Sequence, residues 1–318
     1  MGTVSDKLLY LNETKQQLLN AINGVLYERG EPLLTSDDTF REYARRLFTP
    51  LSLFSNGEQG AWYDPSDLTT LLQDAAGTTP VTASGDPVGL MLDKSGNGNH
   101  ASQGASAYRL TYEQPSAIES SGVSTCLDVL DDAPRTHPYA SIGNQVSGFF
   151  AVRFDAFNPV NTTANWVISS VVHEIRNIGS WGGQKIPFSI GANGNKVGFG
   201  CTSDYLASGA PKKINGVTSM AVGQKYIIGF VVDGTNLTLY LNGQIEATST
   251  SLGTASRSPA DGSTNVSSRI ASRTRDDNAV ADSLIGGIYG GGVINRALTP
   301  EEVSLVNQYL ADKAGVTL

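Results

Sequence analysis

The carboxylates come first, because polysaccharide cleavage needs two of them flanking one glycosidic bond as acid and nucleophile. A β-strand supplies such a pair at alternate positions, in a pattern such as ExDxxE, and no run of this sequence contains it. Acids in the strand-like runs stand alone, as Asp155 and Glu174 do. Hydrolysis therefore has no visible machinery, and the sequence reads as non-enzymatic, with no catalytic residue and no cofactor. The loop "DKSGNGNH", Asp93 to His100, alternates oxygen-bearing residues in a way that suits a cation. It lacks the carboxylate number and the twelfth-position Glu of a calcium loop, so Asp93 is only a weak metal candidate. Asp and Asn side chains folding onto their own backbone explain the loop equally well. The three histidines, His100, His137 and His173, have no zinc spacing. "GGIYGGG", Gly286 to Gly292, lacks the Lys-Ser/Thr of a phosphate loop and reads as backbone packed closely on a neighbouring layer.

Two loops carry the chemistry of recognition. "RNIGSWGGQK" sets Trp181 among glycines with Arg176 and Lys185 nearby, and "SRTRDDN" groups Arg273, Arg275, Asp276 and Asp277. Sugars are held by an aromatic face against the C–H side of the ring and by planar polar groups bonding the hydroxyls. Both parts are present. Trp181 has a second reading as a core residue at a sheet corner, and the charged run one as a solvated loop.

The elements that must position these loops are mainly β. Only 16% of the 318 residues are charged, against about 25% in typical domains. Gly, Ser, Thr and Asn take the place of the missing charge and suit strands and turns. A net charge of −8 argues against nucleic-acid and anionic-membrane partners. No transmembrane run or signal peptide is visible, and Asp6 occupies the position where a myristoylation signal needs Ser or Thr. Synthesis in a cytoplasm is expected. The two cysteines, Cys126 and Cys201, read as buried thiols rather than a disulfide framework.

"YIIGFVVDGTNLTLYLNGQIEA" reads as two strands and the start of a third, turning at Asp233-Gly234 and Asn242-Gly243 in type I′ geometry. Leu237, Leu239 and Leu241 form one apolar face, made to lie on a second layer. Asn193-Gly194 is expected at the centre of a four-residue loop between Ile186–Ile190 and Lys196–Gly200. Strands at short spacing without interleaved helices predict an antiparallel sandwich over 51–318. A closing helix is punctuated by Thr299, Pro300, Glu302 and Gly315, with Val303, Val306 and Leu310 as its stripe.

Residues 1–50 differ in texture. Leu8, Leu11, Leu18, Ile22 and Val25 fall on an a/d seam interrupted by Lys15, over fewer than three heptads. The helix either packs on its own domain or self-associates. A second helix is expected in "TSDDTFREYARRLF", capped by Ser36, with Phe40, Tyr43, Ala44 and Leu47 as its apolar stripe, and stopped by Pro50. Two helices with so little core need a partner surface.

Three segments in order resemble the laminin-G-like, or concanavalin A-like, jelly-roll sandwich. "AWYDPSDLTTLLQD" leading to "VGLMLDKSGNGNHASQ" is similar to the opening of such modules in phage proteins. "GQKYIIGFVVDGTNLTLYLNGQ" resembles their Tyr-x-Asn-Gly hairpin, and "GGIYGGGVINRALTPEEVSLVNQYLADKAG" their closing strand and helix. The segments "SDKLLYLNETKQQLLNAI" and "DDTFREYARRL" resemble amino-terminal parts of phage tail-fibre and related virion proteins. These resemblances imply a bacteriophage virion protein, assembled in the host cytoplasm. Residues 1–50 would fasten it to other virion proteins, as a homotrimer, and a lectin-like sandwich would face host-surface glycan. A purely structural capsid or tail decoration is the alternative, and a polysaccharide-degrading enzyme the third reading.

Overall fold

The computed structural model describes the chain apart from residues 1–3, 29, 31, 123–124, 130–144, 158–164, 174–183, 202–211, 251, 253–264, 275–279 and 282. It forms two compact units, Met1–Thr49 and Pro50–Leu318.

The first unit is a helix pair. Helix α1 (Val4–Glu28) is long because nothing in that stretch breaks it, and α2 (Phe40–Leu47) is short. Their shared core is Leu19, Ile22, Leu26, Leu34 and Tyr43. The connection is tied to α1 by Asn23, whose amide donates to the Leu34 carbonyl at 2.8 Å and accepts its N–H at 2.7 Å. The cap of α2 is Thr39, whose hydroxyl accepts the Glu42 N–H, and not Ser36. The reason is Asp38, whose carboxylate folds back to accept the Thr35 N–H at 2.7 Å, so a separate turn closes before the helix starts.

The second unit is an antiparallel jelly-roll sandwich. One sheet runs β16 (Gln244–Ser249), β15 (Asn236–Leu241), β14 (Lys225–Asp233), β9 (Gln145–Phe154), β20 (Ile285–Ile294), β7 (Ala117–Ser121), β6 (Leu110–Glu113) and β3 (Pro87–Val88), with β1 (Gly60–Tyr63) also paired to β20. The other runs β13 (Lys212–Asn215), β12 (Lys196–Cys201), β11 (Gln184–Asn193), β10 (Asn165–His173), β17 (Asn265–Ile270), β8 (Leu127–Val129), β5 (Ala101–Ser102), β4 (Leu90–Met91) and β2 (Leu71–Leu72). A small ribbon, β18 (Arg273–Thr274) with β19 (Val280–Ala281), stands beside them. Phe188 and Phe199 from the second sheet meet Phe230 from the first, with centroids 5.5 and 5.0 Å apart, at the centre of the core. Cys126 is buried and free.

Burial explains the strand texture. The hairpin strand β15 is covered on one face only, so Leu237, Leu239 and Leu241 are buried while their neighbours are half-exposed. Strand β9 is buried on both faces, and its sequence is a near-continuous apolar run. The second cover is α3 (Pro300–Ala314), which packs across β9, β14 and β20. Its capping box at Thr299 and Glu302 forms, Gly315 closes it in the left-handed region, and Val303, Val306 and Leu310 are buried.

Glycine run Gly286–Gly292 is where the three central strands close on each other. Gly229 lies opposite Phe149 and Gly148 opposite Phe230 across the β9–β14 pair. Each ring fills the place of the missing side chain: a Cβ would sit 2.1 Å from Phe149 and 2.6 Å from Phe230. At Gly291 and Gly292 a Cβ would meet backbone first, the Phe149 and Ala61 carbonyl oxygens at 2.3 and 2.2 Å, and then the Phe150 and Trp62 rings at 2.6 and 2.7 Å. A bulge at Tyr289 separates the half of β20 paired to β7 from the half paired to β1.

Two turns differ from expectation. Asn193 pairs with Lys196 and Asp233 with Asn236, so the loops are the two-residue Gly194-Asn195 and Gly234-Thr235, with Gly at the first position. The strands extend further because Gly alone supplies the positive φ, 58° and 62°. Asn242-Gly243 has positive φ at both residues, as type I′ requires. Among the described residues no helix is long and apolar enough to cross a membrane.

Replacing Gly291 by Ala tests the close packing. Its φ is +145°, and a Cβ would lie 2.3 Å from the Phe149 carbonyl oxygen, a backbone atom of the neighbouring strand. Backbone strain plus overpacking should cost about 3 kcal/mol or more in urea unfolding. A loss below about 0.5 kcal/mol would show that the strands have room to separate.

Candidate functional site

The loop following β4 is a knot. Asp93 Oδ1 accepts the Trp62 and Ser95 N–H groups, both at 2.9 Å. Its Oδ2 accepts the Ser95 hydroxyl at 2.7 Å and the Asn99 N–H at 3.0 Å. A carboxylate offers about four acceptor sites, and here the protein's own donors occupy them. The Asn97 and Asn99 amides donate to the Gly60 carbonyl at 3.1 and 2.6 Å, and His100 Nδ1 accepts the Asp93 N–H at 3.0 Å. Asp93 therefore fixes β1 in place. Among the described residues no group of three His, Cys, Asp or Glu side chains is arranged to hold a metal.

A second polar centre joins the start of the sandwich to its end. Asp64, 5% exposed, accepts from Lys313 of α3 at 2.5 Å and from the Ser66 hydroxyl at 2.7 Å, with Lys94 3.4 Å away. Lys94 also bonds Asp67 at 2.7 Å. Burial pushes the Asp64 carboxyl up, but the bonds from Lys313 and Ser66 and the two ammonium charges outweigh it and hold the group below the usual range. No short motif announces this clamp, because Asp64 and Lys313 stand 249 residues apart.

On the outer side of the first sheet, Arg153 binds Glu119 at 3.0 Å, Asp155 at 2.7 Å and the Tyr289 hydroxyl at 2.8 Å. Lys225 sits 4.2 Å over the Tyr289 ring and donates to the Ala314 carbonyl. Burial raises the Glu119 carboxyl against the pull of Arg153, and its Oε1 is buried without a partner. Both carboxylates are engaged by one guanidinium. In the second sheet, Arg269 pairs across strands with Asp128 at 2.5 Å, and the Asn193 amide donates to Asn215 Oδ1 at 3.1 Å. Gly198 lies between those two amides.

Of the expected recognition residues, Arg176, Trp181, Arg275, Asp276 and Asp277 lie outside the described residues. Lys185 in β11 and Arg273 in β18 are described for their backbones alone. The strand ends still show where both loops are rooted. His173 pairs with Gln184 and with Asn265, so 174–183 leaves the second sheet at that end. The segments 130–144, 202–211 and 253–264 are rooted at the same end, after Val129, between Cys201 and Lys212, and before Asn265. Arg273–Asp277 begins beyond Ile270, which pairs with Ile168, at the opposite end. Five residues of β10, about 17 Å, separate the roots of the two loops. Their roots lie at opposite ends of the sheet.

In the amino-terminal unit, Ile22 and Tyr43 are buried between α1 and α2, whereas Leu8, Leu11, Leu18, Val25 and Leu47 are exposed. The Phe40 side chain lies outside the described set. The a/d seam is thus divided: α2 takes the side that carries Leu19, Ile22 and Leu26.

No family model and no curated protein matches the chain. Among solved structures it is similar to a Trypanosoma rangeli sialidase in complex with 2,3-difluorosialic acid, with a TM-score of 0.50 at 13% identity over 83% of this chain and 34% of that one. It is also similar to the CBM40 of a Ruminococcus gnavus sialidase bound to α2,3-sialyllactose, with a TM-score of 0.46 at 17% identity over 60% of this chain and 96% of that one. At such identities the first likeness shows a shared β-sandwich fold. This chain spans about a third of the sialidase's length.

The Asp64 clamp has a pH signature. Its folded pKa is depressed, so the stability it contributes is full above its unfolded value of about 3.9 and is lost as pH falls through the folded value. Asp64→Asn should cost about 2–3 kcal/mol at pH 7, where it takes the carboxylate partner from the partly buried Lys313 ammonium while Lys94 keeps Asp67. That penalty should shrink below about pH 4. Denaturant unfolding of both proteins across pH checks this, and a pH-independent penalty would mean that Asp64 acts through packing.

Proposed function

We propose that this chain is a non-enzymatic, tail-fibre-like bacteriophage virion protein whose sandwich binds host-surface glycan. Residues 1–50 join it to other virion proteins. The observation that carries the reading is that strand ends at one end of one sheet root the connections 130–144, 174–183, 202–211 and 253–264. A rigid sandwich that roots long segments together is suited to recognition, because binding residues concentrate on loops held by a scaffold. The sequence of one of these segments contains Trp181 and Arg176, an aromatic side chain and a planar donor. The sialidase in the likeness above holds a sialic-acid derivative. That choice of ligand only decides which sugars belong in the first panel.

The competing reading is a structural decoration. It is favoured by the described charged groups of the sandwich, which satisfy one another: Arg153, Arg269 and Asp64 each face partners within the unit. Non-enzymatic action is supported by the missing paired-carboxylate strand and by the shared guanidinium at Glu119 and Asp155.

A panel of bacterial capsule, lipopolysaccharide and sialylated glycans, presented to the full chain, separates the readings. The expected result is binding of at least one class, at least a tenfold loss with Trp181→Ala at unchanged circular dichroism, and no new reducing ends. Failure to bind any of the panel would favour the decoration. Release of reducing ends would make the protein an enzyme.

A further inference from the structure

We propose that the open face of α1 is an interface between copies of this chain, formed by α1 against α1. This deepens the attachment reading of residues 1–50 by naming their nearest partner. Helix α1 has 25 residues, about 37 Å of rod. Its own unit covers only the later half, through Leu19, Ile22 and Leu26. From Lys7 to Thr14 every side chain is exposed. An isolated helical stretch of that length is marginal in water, so the amino-terminal half needs a surface that Met1–Thr49 does not supply.

The pattern left open identifies the occupant. Leu11, Leu18 and Val25 recur every seven residues on the side that α2 leaves bare, 60, 39 and 37% exposed. A seven-residue apolar stripe fits the same stripe on another helix, since the slight supercoil that keeps one seam in contact suits both partners. Charge permits like to meet like. The chain carries a net charge of −8, yet α1 holds Asp6, Glu13 and Glu28 against Lys7 and Lys15, so copies of this helix repel little.

Lys15, which interrupts the seam, is already accounted for. Its ammonium donates to the Ser36 carbonyl and lies 6.0 Å from the centre of the Tyr43 ring, both on the α2 side. Association along Leu11, Leu18 and Val25 therefore buries no unpaired ammonium, and α2 stays outside the new seam. Ile22 belongs to the helix-pair core and takes no part.

The test is the mass of the full chain by light scattering during size exclusion at about 50 μM, a concentration that favours even a micromolar association. The expected result is a dimer or trimer, falling to the 33.5 kDa monomer in the double variant Leu11→Asp, Leu18→Asp with the circular dichroism spectrum unchanged. Leu9→Asp with Tyr27→Asp, exposed positions off the stripe, should leave the mass at the wild-type value. A monomeric wild type, or a stripe variant that assembles like wild type, would overturn the proposal. Should the stripe variant unfold, oxidation of otherwise unaltered chains carrying Leu18→Cys with diamide, which takes up the two electrons and two protons, decides: disulfide dimers absent from the parent chain with Cys126 and Cys201 form if α1 seams meet and fail to form otherwise. Neither result depends on glycan binding, so this inference and the glycan reading fail separately.

Discussion

The close approach of glycine backbone to aromatic rings in β9, β14 and β20 is the constraint on which the sandwich depends. Gly148 and Gly229 exchange rings across one strand pair, Phe230 over the first and Phe149 over the second, on opposite faces of the same sheet. At Gly291 and Gly292 the neighbouring backbone comes closest, with the Phe150 and Trp62 rings behind it. A glycine weakens a strand by its backbone freedom and by the packing it lacks. Here the neighbouring ring supplies that packing, and the glycine gives the ring a flat place to lie. The central sheet can then be covered on both sides, by the second sheet within and by α3 outside.

That double cover decides where chemistry can reside. The outer face of the first sheet is largely taken up by α3, held at one end by its capping box and at the other by Lys313 on Asp64. The charged groups beside it, Arg153 with Glu119 and Asp155, are bound to each other. Buried and half-buried charges need such partners, because unpaired ones would cost several kcal/mol. They are consequently poor recognition groups. The ends of the second sheet remain, and one of them roots several long connections together. Among the described residues, the charged side chains of the sandwich named above are occupied by partners within the unit.

Met1–Thr49 follows a different logic. Among its described residues the core is five buried side chains, Leu19, Ile22, Leu26, Leu34 and Tyr43. So small a core stabilises little by itself, since burial contributes roughly 1.5–3 kcal/mol per large apolar side chain and the ordering of about fifty residues opposes it. The apolar stripe left open along α1 is thus a physical debt of the unit as well as a surface.

Local pattern in the sequence determined the elements. Alternating leucines in β15, Asn242-Gly243 and the Thr299–Glu302 box each act within a few residues, so spacing alone made the hairpin and the closing helix legible. The antiparallel sandwich followed from strand runs without interleaved helices. Tertiary structure decided whatever depended on distant partners. The cap of α2 moved from Ser36 to Thr39 because Asp38 was drawn into the preceding turn, and the two-residue loops at Gly194 and Gly234 were set by strand register. Asp93 read as a weak cation ligand or as a side chain bonded to its own turn, and the donor from Trp62 in β1, beside Ser95 and Asn99, came only with the fold. Asp64 and Lys313 meet only because β1 and α3 converge on β20, and no sequence window spans them. The two recognition loops looked alike in composition, and the pairing of β10 with β17 roots them at opposite ends of one sheet. Residue type and short spacing act through local backbone geometry and are visible in one dimension. Burial, ion pairing and the grouping of loops depend on which strands lie side by side, and only the folded chain fixes that.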